Sequence, residues 1–158
     1  METILRCPHC FDDKIEFQGS YITCMNCKSC FDLYNNKPIL VNNEHKRDNY
    51  GKILVTKSEE SFSNEAKWTN DFINLIPKNK GYLLDYAYGR GAKNICEMKG
   101  YKYVGVDYYN DYGVDVIAHG ENLPFKNNTF SVVTSSAVME HIPNPWLACK
   151  KIFRVLKN

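Results

Sequence analysis

Four cysteines within the first 30 residues have the spacing of metal ligands. Cys7 and Cys10 form one Cys-x2-Cys pair, and Cys24 and Cys27 form a second pair after an interval of thirteen residues. Each pair is predicted to lie in a tight turn that directs two thiolates to one point, so that two turns complete a tetrahedron. A segment of about forty residues buries too little apolar surface to fold alone. We therefore predict a zinc ribbon over residues 1–41, in which Zn2+ is structural and contributes on the order of 10 kcal/mol to folding.

Two neighbouring residues are alternative ligands. His9 lies inside the first pair, where its ring is expected to point outward. Cys30 continues the second pair as Cys-x2-Cys-x2-Cys and is the stronger rival, although four thiolates already close a structural site. A redox role for the pairs is less favoured, because a thioredoxin-type motif occurs singly and opens a helix after a strand.

The composition argues against several classes of protein. Seven cysteines are present, the N-terminus has no apolar signal segment, and the formal net charge is +2. An odd cysteine count without a signal segment argues against a secreted disulfide scaffold, and no apolar run reaches the length of about 18 residues that a membrane span needs. We expect a protein of the reducing cytoplasm, without a membrane partner, whose charge gives no support for a nucleic-acid partner.

A second group of residues has the spacing of a nucleoside site. Residues 82–85 are predicted to form a short strand, followed by a turn with Gly89 and Gly91 and by a helix at 92–98. In a parallel sheet this turn lies at the carboxyl ends of the strands, where glycine lets the backbone approach a ligand. A second predicted strand ends at Asp107, sixteen residues after Gly91, and an acid at that tip accepts hydrogen bonds from both hydroxyls of a ribose.

Other ligands fit this spacing less well. A dinucleotide site with Gly-x-Gly-x-x-Gly needs glycine where Asn94 stands, and the chain has no P-loop pattern. A doubly wound domain without any ligand is the plain structural alternative.

The N-terminal segment resembles the zinc ribbon of tRNA-methyltransferase activator proteins, which also precedes many methyltransferases. The resemblance is carried by Cys-Pro-His-Cys at 7–10, Tyr-Ile-Thr-Cys at 21–24 and the segment 31–41. That family usually has glycine where Asn36 stands, and asparagine is able to replace it at positive φ. The zinc finger of ribosomal RNA guanine methyltransferases is a second resemblance, but the histidine that it needs after Cys24 is missing.

From residue 83 onward the chain resembles class I S-adenosylmethionine-dependent methyltransferases. The resemblance is carried by Leu-Asp-Tyr-Ala-Tyr-Gly-Arg-Gly at 84–91, Gly-Glu-Asn-Leu-Pro-Phe at 120–125, the apolar strand 130–138 and Arg-Val-Leu-Lys at 154–157. It implies an α/β fold with a partial Rossmann-like sheet of strand order 3-2-1-4, preceded by the zinc ribbon. We expect a linker at 42–60 and the N-terminal part of the methyltransferase domain at 61–158, beginning with a helix that ends before Pro77.

The resemblance also implies S-adenosylmethionine as the cofactor. The residues implied to bind it are Asp85, Ala87, Gly89, Gly91, Asp107, Tyr108, Glu121 and Leu123. Ala87 takes the place of the first glycine of the family motif. Asp107 would hold the ribose and Tyr108 would lie near the adenine. His119 stands where the family commonly has an acid for the adenine amine.

Glu140 and His141 are the acid/base candidates after the fourth predicted strand. A histidine there could titrate near neutral pH. Methyl transfer from a sulfonium is an in-line displacement that depends on alignment in a dry pocket more than on a base. The plainer interpretation of both residues is that they begin a helix.

The family continues beyond residue 158 with a fifth strand and a closing antiparallel pair. We therefore expect a truncated or degenerate member with weak cofactor affinity, whose strand 130–138 is an edge prone to self-association. The predicted function is methyl transfer to an unidentified acceptor. A non-catalytic zinc-ribbon interaction module with a relic Rossmann half is the alternative, and an RNA-binding or rRNA-methylating protein is a further one that the charge disfavours.

Overall fold

The fold is known from a computed structural model. The residues that the structure describes are 1–41, 74–86, 93, 97, 99–108, 114–136 and 138–158. The predicted linker and most of the helix predicted before Pro77 lie outside them. Asn74 and Leu75 are helical, as are Lys93 and Glu97 in the second predicted helix. No helix in the described part of the chain is long and apolar enough to cross a membrane.

The N-terminal segment forms an antiparallel sheet with four strands in sequential order. The strands are β1 (Ile15–Gln18), β2 (Tyr21–Cys24), β3 (Cys30–Tyr34) and β4 (Lys37–Pro38). Asn35 and Asn36 join β3 to β4 and have φ angles of 49° and 63°. Two central residues at positive φ match the right-handed twist of a hairpin. The expectation that Asn36 adopts positive φ is confirmed.

The second sheet is parallel and has the order β7-β6-β5-β8. Its strands are β5 (Tyr82–Tyr86), β6 (Lys102–Asp107), β7 (Val116–Ile117) and β8 (Phe130–Thr134). Counted within this sheet, the order is third, second, first, fourth. β5 is central, and its residues from Leu83 to Tyr86 are all buried, as expected when a parallel sheet is covered on both faces. The predicted α/β character is confirmed.

The fourth strand of this sheet is shorter than predicted. β8 ends at Thr134 rather than at Val138, because its pairing with β5 stops at the register Asp85–Thr134 and β5 itself ends one residue later. The start of the predicted edge is also paired, since Phe130 forms a parallel bridge with Leu156. Self-association through this edge stays a prediction.

One long helix, α1 (Pro145–Val155), follows a 3-10 turn at Met139–His141. The side chain of Asn144 caps it by accepting a 3.0 Å hydrogen bond from the Leu147 N–H, and proline at the first position suits a helix start. Near its end the Arg154 guanidinium donates hydrogen bonds to the carbonyl oxygens of Leu123 and Phe125. These bonds fix α1 to the loop that precedes β8.

The ribbon packs directly on the parallel sheet. Leu5 forms an antiparallel bridge with Phe125, and Ile39 forms a parallel bridge with Ile117 at the end of β7. One hydrophobic cluster contains Cys7, Cys24 and Ile22 of the ribbon together with Val104, Leu123, Phe125 and other residues of the second half. The ribbon and the second half therefore share this core.

Candidate functional site

The four N-terminal cysteine sulfurs lie together, as the spacing predicts. Cys7 Sγ is 3.6 Å from Cys27 Sγ, Cys10 Sγ is 3.5 Å from Cys24 Sγ, and all four atoms lie within 4.8 Å of one another. Zinc with four thiolates at about 2.3 Å places neighbouring sulfurs about 3.8 Å apart. The cluster therefore has the dimensions of a tetrahedral zinc site.

The first turn of the ribbon also supplies donors to the sulfurs. The backbone N–H groups of His9 and Cys10 point at Cys7 Sγ over 3.4 and 3.5 Å, which favours a thiolate there. Burial acts against this and raises the pKa of the Cys7 thiol. Burial raises the pKa of the Cys24 thiol as well. A cation between the sulfurs would offset this cost of burial, which is the chemistry of a metal site.

The two rival ligands lie outside the cluster. The His9 ring contacts Ser29 Oγ at 2.9 Å on the surface. Cys30 is exposed, and its sulfur lies 3.8 Å from Thr23 Oγ1. Among the described residues the candidate metal group contains Cys7, Cys10, Cys24 and Cys27.

A cavity of about 440 Å³ opens at the carboxyl ends of β5 and β6. Ligands of open α/β sheets bind at this edge. The residues that line the cavity are Tyr86, Val106, Asp107, Tyr108, His119, Gly120, Val138, His141, Ile142 and Pro143. Strand ends, the loop after β7 and the turn before α1 thus meet around one space.

One wall of this cavity combines a carboxylate with aromatic rings. Asp107 is the last residue of β6 and is partly exposed. The Tyr108 and His119 rings meet edge to face with their centroids 5.5 Å apart. A carboxylate beside such faces is able to accept hydrogen bonds from sugar hydroxyls while a base packs against the rings.

Tyr86 is the largest buried side chain at the cavity, and its hydroxyl has no hydrogen-bond partner among the described residues. Burial is the main cause that raises the pKa of this phenol, and the nearby charge of Glu121 raises it further. Tyr86 therefore stays protonated at neutral pH. A Cβ atom at Gly120 would lie 2.2 Å from the Tyr86 Oη. Glycine at 120 is therefore what allows the ring to extend under the loop.

Asp85 lies inside the sheet and does not line the cavity. Its carboxylate accepts 3.0 Å hydrogen bonds from the Tyr103 hydroxyl and from Thr134 Oγ1 on the two neighbouring strands. Burial nevertheless raises its pKa to about 6, and the charge of Asp107 acts in the same direction. In this structure Asp85 links β5, β6 and β8.

The other predicted cofactor residues are dispersed. Glu121 Oε1 accepts a 2.7 Å hydrogen bond from the Asn144 N–H, so this residue holds the start of α1 and lines a neighbouring cavity. Leu123 is fully buried in the core and does not line the Asp107 cavity. Ala87, Gly89 and Gly91 lie outside the described residues.

The two acid/base candidates are neighbours in the 3-10 turn but have different surroundings. His141 lines the cavity, whereas Glu140 is exposed and absent from its wall. Neither begins a helix of regular length, because α1 starts only at Pro145. This differs from the plainer interpretation that both are helix-start residues.

Sequence reasoning missed several cavity residues. Tyr86 was assigned to the turn after β5, although the alternation of Leu84 and Tyr86 on one face of that strand is a signal that finds it. Ile142 and Pro143 give no such signal, because their contribution depends on how the turn before α1 returns to the sheet.

Residues 84–158 match the family model described as a methyltransferase domain, so this part of the chain is similar to methyltransferases. Among solved structures, the crystal structure of MccD protein is similar at 22% identity with a TM-score of 0.44. That match covers 53% of this chain and 44% of the MccD chain, so this chain spans less than half of that protein. No curated protein sequence matches the chain.

Proposed function

We propose that this chain binds S-adenosylmethionine in the Asp107 cavity and transfers its methyl group to an acceptor. The observation that carries the proposal is the position of Asp107, at the end of a parallel strand and on the wall of a cavity lined with aromatic rings. The similarity of residues 84–158 to a methyltransferase domain supports the reaction class.

The residues of the cavity fit an adenosyl group. The Asp107 carboxylate would accept hydrogen bonds from the two ribose hydroxyls, and the Tyr108 and His119 rings would pack around the purine. Ile142 and Pro143 add apolar surface to the same cavity and would help to exclude water. When bound, the cofactor supplies an electrophilic methyl group on a sulfonium, and the role of this chain is to hold it in line with the acceptor.

Of the two acid/base candidates, His141 has the better position because it lines the cavity. An acceptor that carries a proton would release it on methylation, and His141 is the residue that we propose to receive it.

We further propose that Cys7, Cys10, Cys24 and Cys27 bind one structural Zn2+. The fit of the sulfur distances to a tetrahedral thiolate site supports this assignment. Zinc-bound thiolates fit a reducing compartment, so we propose a cytoplasmic location.

Calorimetric titration of the full chain with S-adenosylmethionine tests the proposed function. Asp107→Asn removes two charge-assisted hydrogen bonds, each worth about 1.5–3 kcal/mol, so affinity is expected to fall more than tenfold. The matched control is Glu97→Gln, an acid-to-amide change at an exposed position outside the cavity, which is expected to bind like the unchanged chain. Equal affinity for the Asp107→Asn variant and its control would contradict the proposal.

A further inference from the structure

We propose that the zinc ribbon positions part of the cofactor cavity, so that occupancy of the cysteine site and affinity for S-adenosylmethionine are coupled through Asn122. The identity of the ligand in this inference rests on the proposed function. The coupling itself rests on contacts between the ribbon and the loop that follows β7.

The loop that follows β7 forms one side of the cavity, and Glu121 connects it to the start of α1. His119 and Gly120 line the cavity, and they stand at the start of a 3-10 turn at Gly120–Asn122. No residue of that turn is buried. Its position therefore depends on the contacts made on either side of it.

The ribbon contacts β7 and this loop through several hydrogen bonds. Asn122 Nδ2 donates a 2.8 Å hydrogen bond to the Pro8 carbonyl oxygen, which lies between Cys7 and Cys10 in the sequence. The others are backbone hydrogen bonds, from Leu40 N–H to Ile117 O over 2.8 Å, from Arg6 N–H to Pro124 O over 3.0 Å and from Lys126 N–H to Ile4 O over 2.9 Å.

The first of these contacts depends directly on the metal site. Pro8 is held between two cysteines whose turn is fixed when both thiolates share one cation. The Pro8 carbonyl then presents a fixed acceptor to Asn122, and the loop is preorganised for a ligand. Without the cation the turn loses this constraint, and a ligand must order the loop as it binds.

Such coupling is reciprocal. If zinc raises the affinity for S-adenosylmethionine, then S-adenosylmethionine raises the affinity for zinc by the same factor. Asn122 is a positioning residue in this scheme, because it acts on the cavity through the loop and is absent from the cavity wall.

The first experiment measures both directions of the coupling on the full chain. S-adenosylmethionine is titrated into the zinc-loaded chain, into the chelator-treated chain and into the chain after zinc is restored. We expect a loss of affinity of at least tenfold on chelation that zinc reverses, and zinc transfer to a chromogenic chelator that is slower with S-adenosylmethionine present. Unchanged affinity on chelation, or a rate of zinc transfer that is the same with and without S-adenosylmethionine, would overturn the inference.

The second experiment separates positioning from loss of fold. Asn122→Ala removes the hydrogen bond to Pro8 and leaves every cysteine in place. We expect it to retain one zinc ion per chain and its circular dichroism, to lose about fivefold in affinity for S-adenosylmethionine, and to show a smaller effect of chelation on that affinity. The control is Gln18→Ala, an exposed ribbon residue whose side chain donates a hydrogen bond to Glu16, and it is expected to keep the full coupling.

The results also distinguish this inference from the function on which it rests. An Asn122→Ala variant with full affinity and full coupling overturns the inference and leaves the proposed function intact. A zinc-loaded chain that binds no S-adenosylmethionine overturns the proposed function itself.

Discussion

The two candidate sites of this protein are built in opposite ways. The cysteine site comes from two short turns, each of which carries both of its ligands within four residues of sequence. The Asp107 cavity is assembled from two strand ends, the loop after β7 and the turn before α1. Ligand spacing is therefore sufficient to specify the cysteine site, whereas the Asp107 cavity depends on long-range packing.

The largest expected effect breaks the local site. Cys24→Ser removes a buried sulfur of the cluster, and with it the metal-binding free energy, on the order of 10 kcal/mol, that contributes to folding. We expect loss of bound zinc and of the cooperative thermal transition. Cys30→Ser is the matched control and is expected to retain both, because Cys30 is exposed outside the cluster. Loss of zinc from the control would assign a ligand role to Cys30.

A pH titration examines the strand network that supports the second site. The pKa of Asp85 rises from 3.8 to about 6 on folding, so the folded chain binds more protons and this residue's contribution to stability is present below pH 4 and lost as pH rises through 6. The change amounts to about 3 kcal/mol. Between pH 4 and 7 the free energy of unfolding of the Asp85→Asn variant is therefore expected to fall less than that of the unchanged chain. Urea denaturation of both chains measures it. Parallel curves for the two chains would contradict the raised pKa.

Gly120→Ala tests the close packing under the loop. The added methyl group would overlap the Tyr86 hydroxyl, and overpacking of this kind costs about 1–3 kcal/mol. We expect a lower thermal midpoint and weaker binding of S-adenosylmethionine. Combining it with Tyr86→Phe removes the closest atom and is expected to restore part of the stability. If the stability loss of the double variant equals the sum of the losses of the two single variants, the contact between residue 120 and Tyr86 is not the cause.

The smallest expected effect lies in the ribbon hairpin. Asn36→Ala places an alanine at a φ angle of 63°, which costs about 1 kcal/mol in the left-handed region. Asn36→Gly is expected to match or slightly exceed the unchanged chain in thermal stability, since glycine adopts this conformation freely. An alanine variant as stable as the glycine variant would indicate that the turn has a different conformation.

Much of the second half was predicted because its signals are local. Short apolar runs predicted β5 and β6 to within one residue at their ends, and the acid at the tip of β6 predicted Asp107 at a ligand edge. The predicted end of β8 at Val138 was wrong, because the strand ends where its pairing with β5 ends. The apolar run to Val138 gives no sign of that end. The cofactor roles that the resemblance implies for Glu121 and Leu123 stay predictions, and the structure shows that Glu121 holds the start of α1 and that Leu123 fills the core.

The sequence by itself determined the four-cysteine cluster, the positive φ of Asn36 and the parallel strands that carry Asp107, because spacing and alternation act over a few residues. Three features became visible only in the folded chain: the ribbon shares a core with the second half, Asn122 contacts the turn between Cys7 and Cys10, and Tyr86 extends beneath Gly120. Those contacts join residues far apart in the chain. They follow from which apolar surfaces pack together, and the spacing of residues along the chain does not show which surfaces these are.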